Sequence, residues 1–125
     1  MSDSNLELAR RGYEAVSRGD FDAIRDLFDP DVKWHGGDPD WEGSCRNRDQ
    51  ALAFMRQARE RNNPLGEAVD MVEAGDKVVV ILQRTGEDGE PELVANLTTF
   101  RDGKVIEMVH YPNPDDALAA AGASG

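Results

Sequence analysis

Residues Glu67–Tyr111 read EAVDMVEAGDKVVVILQRTGEDGEPELVANLTTFRDGKVIEMVHY, and the period of their apolar side chains decides the fold. Apolar and polar residues alternate with a period of two through Glu67–Ala74, Lys77–Thr85, Glu92–Arg101 and Lys104–Tyr111. Between these runs lie Gly75-Asp76, Gly86-Glu87-Asp88-Gly89 and Asp102-Gly103, residue types that turn a chain within a few positions. Four strands joined by tight turns predict an antiparallel meander.

Upstream of the meander the period becomes helical. Leu6, Ala9, Tyr13 and Val16 form one stripe behind Ser4 and Glu7, a capping-box spacing, which predicts a helix over Asn5–Arg18. Gly19 ends it. Asp20 caps a second helix carrying Phe21, Ile24, Leu27 and Phe28 and stopped at Pro30. Asp31–His35 alternates as a short strand and enters the turn-rich Gly36–Asp40. Ala51, Leu52, Met55 and Ala58 mark a third helix from Asn47 or Asp49 to Arg61, ahead of Asn62-Asn63-Pro64. Beyond the meander, Asn113 as N-cap and Pro114 at the first helical position open a short helix through Ala117–Ala121 that Gly122 stops. Helices first and strands second is the α+β arrangement: three N-terminal helices on one face of a curved, mainly antiparallel sheet, with a cavity between. No repeat or linker divides the chain, so residues 1–125 are read as one domain.

Composition narrows the function. The 125 residues are 39% apolar and 31% charged, enough apolar surface for a core. Fourteen Lys+Arg against 25 Asp+Glu give a net charge of −11, which repels phosphate backbones and anionic membranes and excludes nucleic acid as a main partner. The longest apolar run, Val78–Leu82, is far short of the roughly 18 residues of a membrane span. The N-terminal residues have neither the basic start nor the apolar stretch of a secretory signal, so a cytoplasmic protein is expected. Cys45 is the single cysteine, which excludes an intrachain disulfide and a zinc site of several thiolates.

The run Tyr13-Glu-Ala-Val-Ser-Arg-Gly19-Asp20-Phe-Asp-Ala-Ile24, with Leu27-Phe28-Asp-Pro-Asp-Val32-Lys-Trp34-His35-Gly36, Asp102-Gly-Lys-Val105, and Tyr111 followed by Ala117-Leu118-Ala-Ala-Ala-Gly122, resembles the nuclear transport factor 2-like superfamily and, within it, the SnoaL-like polyketide cyclases. The resemblance covers nearly the whole chain and implies a cone-shaped fold around a pocket. It is more specific for the fold than for the activity.

Alternation in the last strand sets Ile106, Met108 and His110 on one face and Val105, Glu107, Val109 and Tyr111 on the other. The resemblance implies that the His110 face looks into the pocket, where similar limonene-epoxide hydrolases and cyclases carry a carboxylate acid or base. Imidazole, ionising near 6.5, suits proton transfer at neutral pH; a hydrogen bond within the wall is the other reading of His110. Arg84 is in phase with Val80 and Leu82 and matches the arginine of the hydrolases' Asp-Arg-Asp group. Gly86 and His110 stand where its aspartates belong, which argues against epoxide hydrolysis. A snorkelling arginine at a strand end is the alternative.

Asn96 and Thr98 share a face with Val94 and Phe100. Resemblance to ketosteroid isomerase implies that Asn96 takes the place of an acid that donates to a developing oxyanion, although it also reads as a wall residue. The base of that enzyme falls at Gly36 and its first-helix tyrosine at Gly12, so steroid isomerisation is disfavoured. Asp38 is the reserve base. Val32 and Trp34 are expected in the pocket, with Lys33 and His35 on the opposite face and His35 at the surface. Tyr13 lies at the pocket margin and Met108 in its wall, while Asp38, Asp40 and Trp41 form a candidate lid or a solvated turn. His35, Asp38, Asp40 and His110 lack metal-site spacing, so no metal is expected, and Cys45 reads as a structural thiol.

The leading expectation is a cofactor-independent isomerase or cyclase that moves a proton on a small, apolar, carbonyl-bearing molecule. His110, Arg84, Asn96 and Asp38 would be its reacting groups, with Tyr13, Trp34, Trp41, Thr98 and Met108 holding the ligand. The alternative is a non-catalytic ligand-binding or protein-interaction module. A homodimer is expected on the sheet's outer face, where Leu93, Ala95, Leu97 and Thr99 form an apolar strip outside the helices.

Overall fold

Two tight turns fix the register of the sheet. Asp102 and Gly103 both take left-handed backbone angles, φ 53° and 78°, the pairing that a two-residue hairpin with the natural strand twist requires. Gly75, at φ 64°, does the same for the hairpin before it. In the computed structural model, which describes residues 5–36, 44–60, 67–86 and 88–122, the elements run α1 (Asn5–Arg18), α2 (Phe21–Leu27), β1 (Phe28–His35), α3 (Arg48–Glu60), β2 (Glu67–Ala74), β3 (Lys77–Thr85), β4 (Pro91–Arg101), β5 (Lys104–Tyr111) and α4 (Pro114–Ala120). The four meander strands pair antiparallel in sequence order, and β1 adds to β5 in parallel, giving an open five-stranded sheet ordered β1-β5-β4-β3-β2. No helix among the described residues is long and apolar enough to cross a membrane.

Helix α1 lays Ala9 and Ala15 on the core, where small side chains allow close approach. The backbone N–H of Leu6 in its first turn donates to Glu73 Oε2 at 3.1 Å, so a strand residue satisfies a donor that the helix leaves free. Asp20 caps α2 through the N–H of Ala23 at 3.2 Å, and Asn113 caps α4 through that of Asp115 at 3.0 Å. Both caps match the sequence reading. Ile24, Val32, Val78 and Val80 are fully buried between these helices and the sheet.

Three expectations change. Strand β1 starts at Phe28, not Asp31, and passes through Pro30; as an edge strand with a register irregularity between Phe28 and Lys33, it tolerates the missing N–H. Val105 faces the pocket side, because β5 pairs Glu107 with Thr99 but Val105 with Phe100, leaving Ile106 as the extra residue of a bulge. The helices do not all lie on one side. Helix α4 crosses the outer face, and its fully buried Ala117 packs with Val79, Ala95, Leu97 and Val109 in a second core. Residues 94–100 of β4 are consequently buried without interruption, and the face on which a homodimer was expected is already covered over Ala95, Leu97 and Thr99.

Candidate functional site

The pocket side of the sheet brings the chemistry-bearing side chains together. β3 presents Leu82 and Arg84, β4 Asn96 and Thr98, and β5 Met108 and His110; α1 faces them with Tyr13, β1 with Trp34 and α3 with Phe54. They border a cavity of about 540 Å³ with mainly apolar walls, within the size range of small-molecule sites.

Asn96 stands directly across from His110 on β5 and from Val80 on β3. Both Asn96 and Thr98 are nearly inaccessible, at 4% and 3% exposure, and Thr98 Oγ1 donates to Asn96 Oδ1 at 3.2 Å. The hydroxyl therefore occupies the amide oxygen and leaves the two amide N–H donors. Among the described residues these have no hydrogen-bond partner, an arrangement that favours an acceptor brought by something else.

His110 is half-buried, and its pKa is lowered below the ordinary 6.5 by burial first and by the positive charge of Arg84 second, with Glu92 opposing. It is a neutral imidazole at pH 7, able to accept a proton. Arg84 finds the carboxylate that a partly buried guanidinium needs in its cross-strand partner: its Nε donates to Glu92 Oε1 at 2.7 Å, with both side chains about 40% exposed. Glu92 was not singled out in the sequence, although its position opposite Arg84 follows from the hairpin register. A Cβ at Gly86 would lie 3.1 Å from Glu92 Oε2, so an aspartate there would meet this carboxylate.

Burial pushes the Tyr13 phenol above its ordinary value, so it remains a neutral hydroxyl. Cys45 is buried at the cavity wall, and burial raises its thiol too; its N–H and C=O bond to the backbone of Trp34 at 2.8 and 2.9 Å. Trp34 and Phe54 meet edge to face, ring centres 5.0 Å apart. Phe54, 46% exposed, is the lining residue most readily overlooked; its signal was a large aromatic on the flank of the α3 apolar stripe. Gly12 and Gly36 both border the cavity, and a Cβ at Gly36 would meet nothing within 4 Å.

His35 corrects the expectation of a surface histidine. Its side chain is only 6% exposed and its Nε2 lies 3.0 Å from Glu107 Oε2. Although residue 35 borders the cavity, its register with Val109 sets the ring on the outer side, away from His110, so these two do not converge on a metal. Asp38, Asp40 and Trp41 lie outside the described residues.

A helix-covered open sheet with an apolar cavity holding a few donors defines the nuclear transport factor 2-like, or cystatin-like, class of fold. Solved structures of that class align with the chain. A polyketide cyclase candidate from Sinorhizobium meliloti is 21% identical with a TM-score of 0.70, covering 83% of this chain and 93% of its own. Bal32a, from a soil-derived mobile gene cassette, is 25% identical with a TM-score of 0.70 over 86% and 87%. A nuclear transport factor 2-like protein from Burkholderia pseudomallei is 20% identical, with a TM-score of 0.67 over 94% and 97%. The model of the SnoaL-like domain matches residues 9–108, and the chain belongs to that family. Among proteins of curated function none matches.

Proposed function

We propose that the chain binds a small, largely apolar, carbonyl-bearing molecule and moves a proton on it, as an isomerase or cyclase does. The observation that carries this reading is the pair Asn96 and His110, side by side on adjacent strands in an apolar cavity, one with unpartnered donors and the other a neutral imidazole. His110 takes a proton from carbon next to the carbonyl while Asn96 donates to the oxygen as charge develops there. Such a transfer needs neither metal nor redox cofactor. The polyketide cyclase candidate from Sinorhizobium meliloti supports the same class of chemistry by fold alone.

The second reading, a binding module without turnover, is favoured by one observation: no carboxylate borders the cavity among the described residues, so proton transfer would rest on imidazole. A metabolite captured from cell extract and identified by mass spectrometry supplies the test compound. With it, His110→Gln should lower turnover by roughly a hundred- to ten-thousandfold while leaving binding nearly unchanged. Equal turnover in the variant would remove His110 from the chemistry; binding without turnover in the wild type would establish the module.

The reading includes one domain over residues 1–125, a cytoplasmic location and no nucleic-acid or membrane partner. We further propose a homodimer that meets on the strip around the 51% exposed Leu93, outside the second core under α4. Sedimentation at micromolar concentration returning a single chain mass would discard it.

A further inference from the structure

The chain is strongly acidic, with 25 Asp+Glu, yet among the described residues none of the side chains bordering the cavity is a carboxylate, and the one permanent charge there is the Arg84 guanidinium. Glu92 engages only the Nε–H of that group. A guanidinium carries five N–H donors in a rigid fork, so the four on its two terminal nitrogens remain, without partners among the described residues. Paired, parallel donors of this kind match the two oxygens of a carboxylate.

Position along the strands gives the spacing. Asn96 is in register with Val80, and Arg84 lies four residues further along β3, so their backbones are about 13 Å apart at ~3.3 Å per residue. The Arg84 charge acts on His110, beside Asn96. Between the two polar ends the wall is apolar, with Leu82 on β3. The cavity therefore has at one end a guanidinium paired through Nε with Glu92, its terminal nitrogens free among the described residues, and neutral donors at the other, about two rings away.

Resting on the small-molecule reading above, we propose that the ligand is an elongated aromatic or polycyclic monocarboxylate, its carboxylate held by the terminal nitrogens of Arg84 and its carbonyl by Asn96. Arg84 is then the residue that sets specificity for an acid over the corresponding neutral molecule.

A matched pair of probes tests this. 4′-Acetylbiphenyl-4-carboxylate carries a carboxylate and a ketone at opposite ends of two rings, and 4′-acetylbiphenyl-4-carboxamide keeps the shape without the charge. Calorimetric titration of the wild type should give at least tenfold tighter binding of the acid. Arg84→Gln should bring the two within about twofold by weakening the acid alone, Arg84→Lys should recover part of the preference, and Asn96→Leu should weaken acid and amide alike. Equal affinities in the wild type, or a preference that survives Arg84→Gln, would overturn the proposal and leave the small-molecule reading standing. Binding of neither probe to folded protein would overturn both.

Discussion

The two faces of the sheet use the same strands, yet one surrounds a cavity of about 540 Å³ and the other carries a second core under α4. The difference lies in what each face meets. Small residues on α4, with Ala117 at no measurable exposure, let that helix lie close to Ala95 and Leu97 and bury them. On the other face Tyr13, Trp34 and Phe54 border a space that the strands do not fill, and the sheet places Asn96, Thr98 and His110 against it. Apolar content alone does not separate a core from a binding site. The separating feature is a buried polar group whose hydrogen bonds the protein leaves incomplete.

The contrast can be broken most severely at its packed side. Ala117→Asp would bury a charge with no partner in the outer core, which costs ~3–5 kcal/mol unless α4 lets go. Chemical denaturation should record a loss of that order, and an apolar fluorescent dye should bind the uncovered strands; unchanged stability with no dye binding would show that α4 does not hold the outer face.

A matched pair sharpens the comparison further. Leu82 and Leu97 are equally buried, at 4% and 5%, but Leu82 borders the cavity while Leu97 is surrounded. Leu97→Ala should cost ~3–5 kcal/mol, because it removes a full shell of contacts and opens a new void. Leu82→Ala should cost nearer ~2 kcal/mol, since its cavity side has few contacts to lose. Equal losses in denaturant titrations would mean that the cavity closes in solution.

The smallest effect is that of pH. With its folded pKa depressed, His110 contributes stability that is fully present above 6.5 and is lost as pH falls through the lower folded value. Acidification below 6.5 should therefore lower the melting temperature of the wild type more than that of His110→Gln. Parallel melting curves for the two proteins across that range would contradict the assignment of cause.

Much of this was legible in the sequence. Glycine and asparagine signals located the turns and caps because those positions need particular backbone angles or a side-chain acceptor, and α1, β2, β3 and β5 have the boundaries read from the pattern. Alternation within each strand, with the family resemblance to say which face looks inward, likewise put Arg84, Asn96, Thr98 and His110 on the cavity side, where all four border it. What the pattern could not carry was the identity of the covering element: Ala95 and Leu97 signalled that something lies on the outer face, and either a second copy or α4 satisfies that signal. His35 escaped because its burial depends on the residues packed around it, and Val105 because a single extra residue in β5 leaves no mark on composition.

That extra residue has a consequence for deletion. The Asp102-Gly103 turn and the His110 face are each in step with β4, but they are out of step with one another by one position, and Ile106 absorbs the mismatch. Removing Ile106 would restore strict alternation, with Val105 and Met108 still facing inward and Glu107 outward. Loss of Glu107 would keep the same step but set Ile106 where Glu107 meets His35, and loss of Val109 would keep it only by turning Glu107 inward and Met108 outward. In a library of single-residue deletions through β5, the chain should tolerate the gap at 106 best, with His110 keeping its place in the cavity.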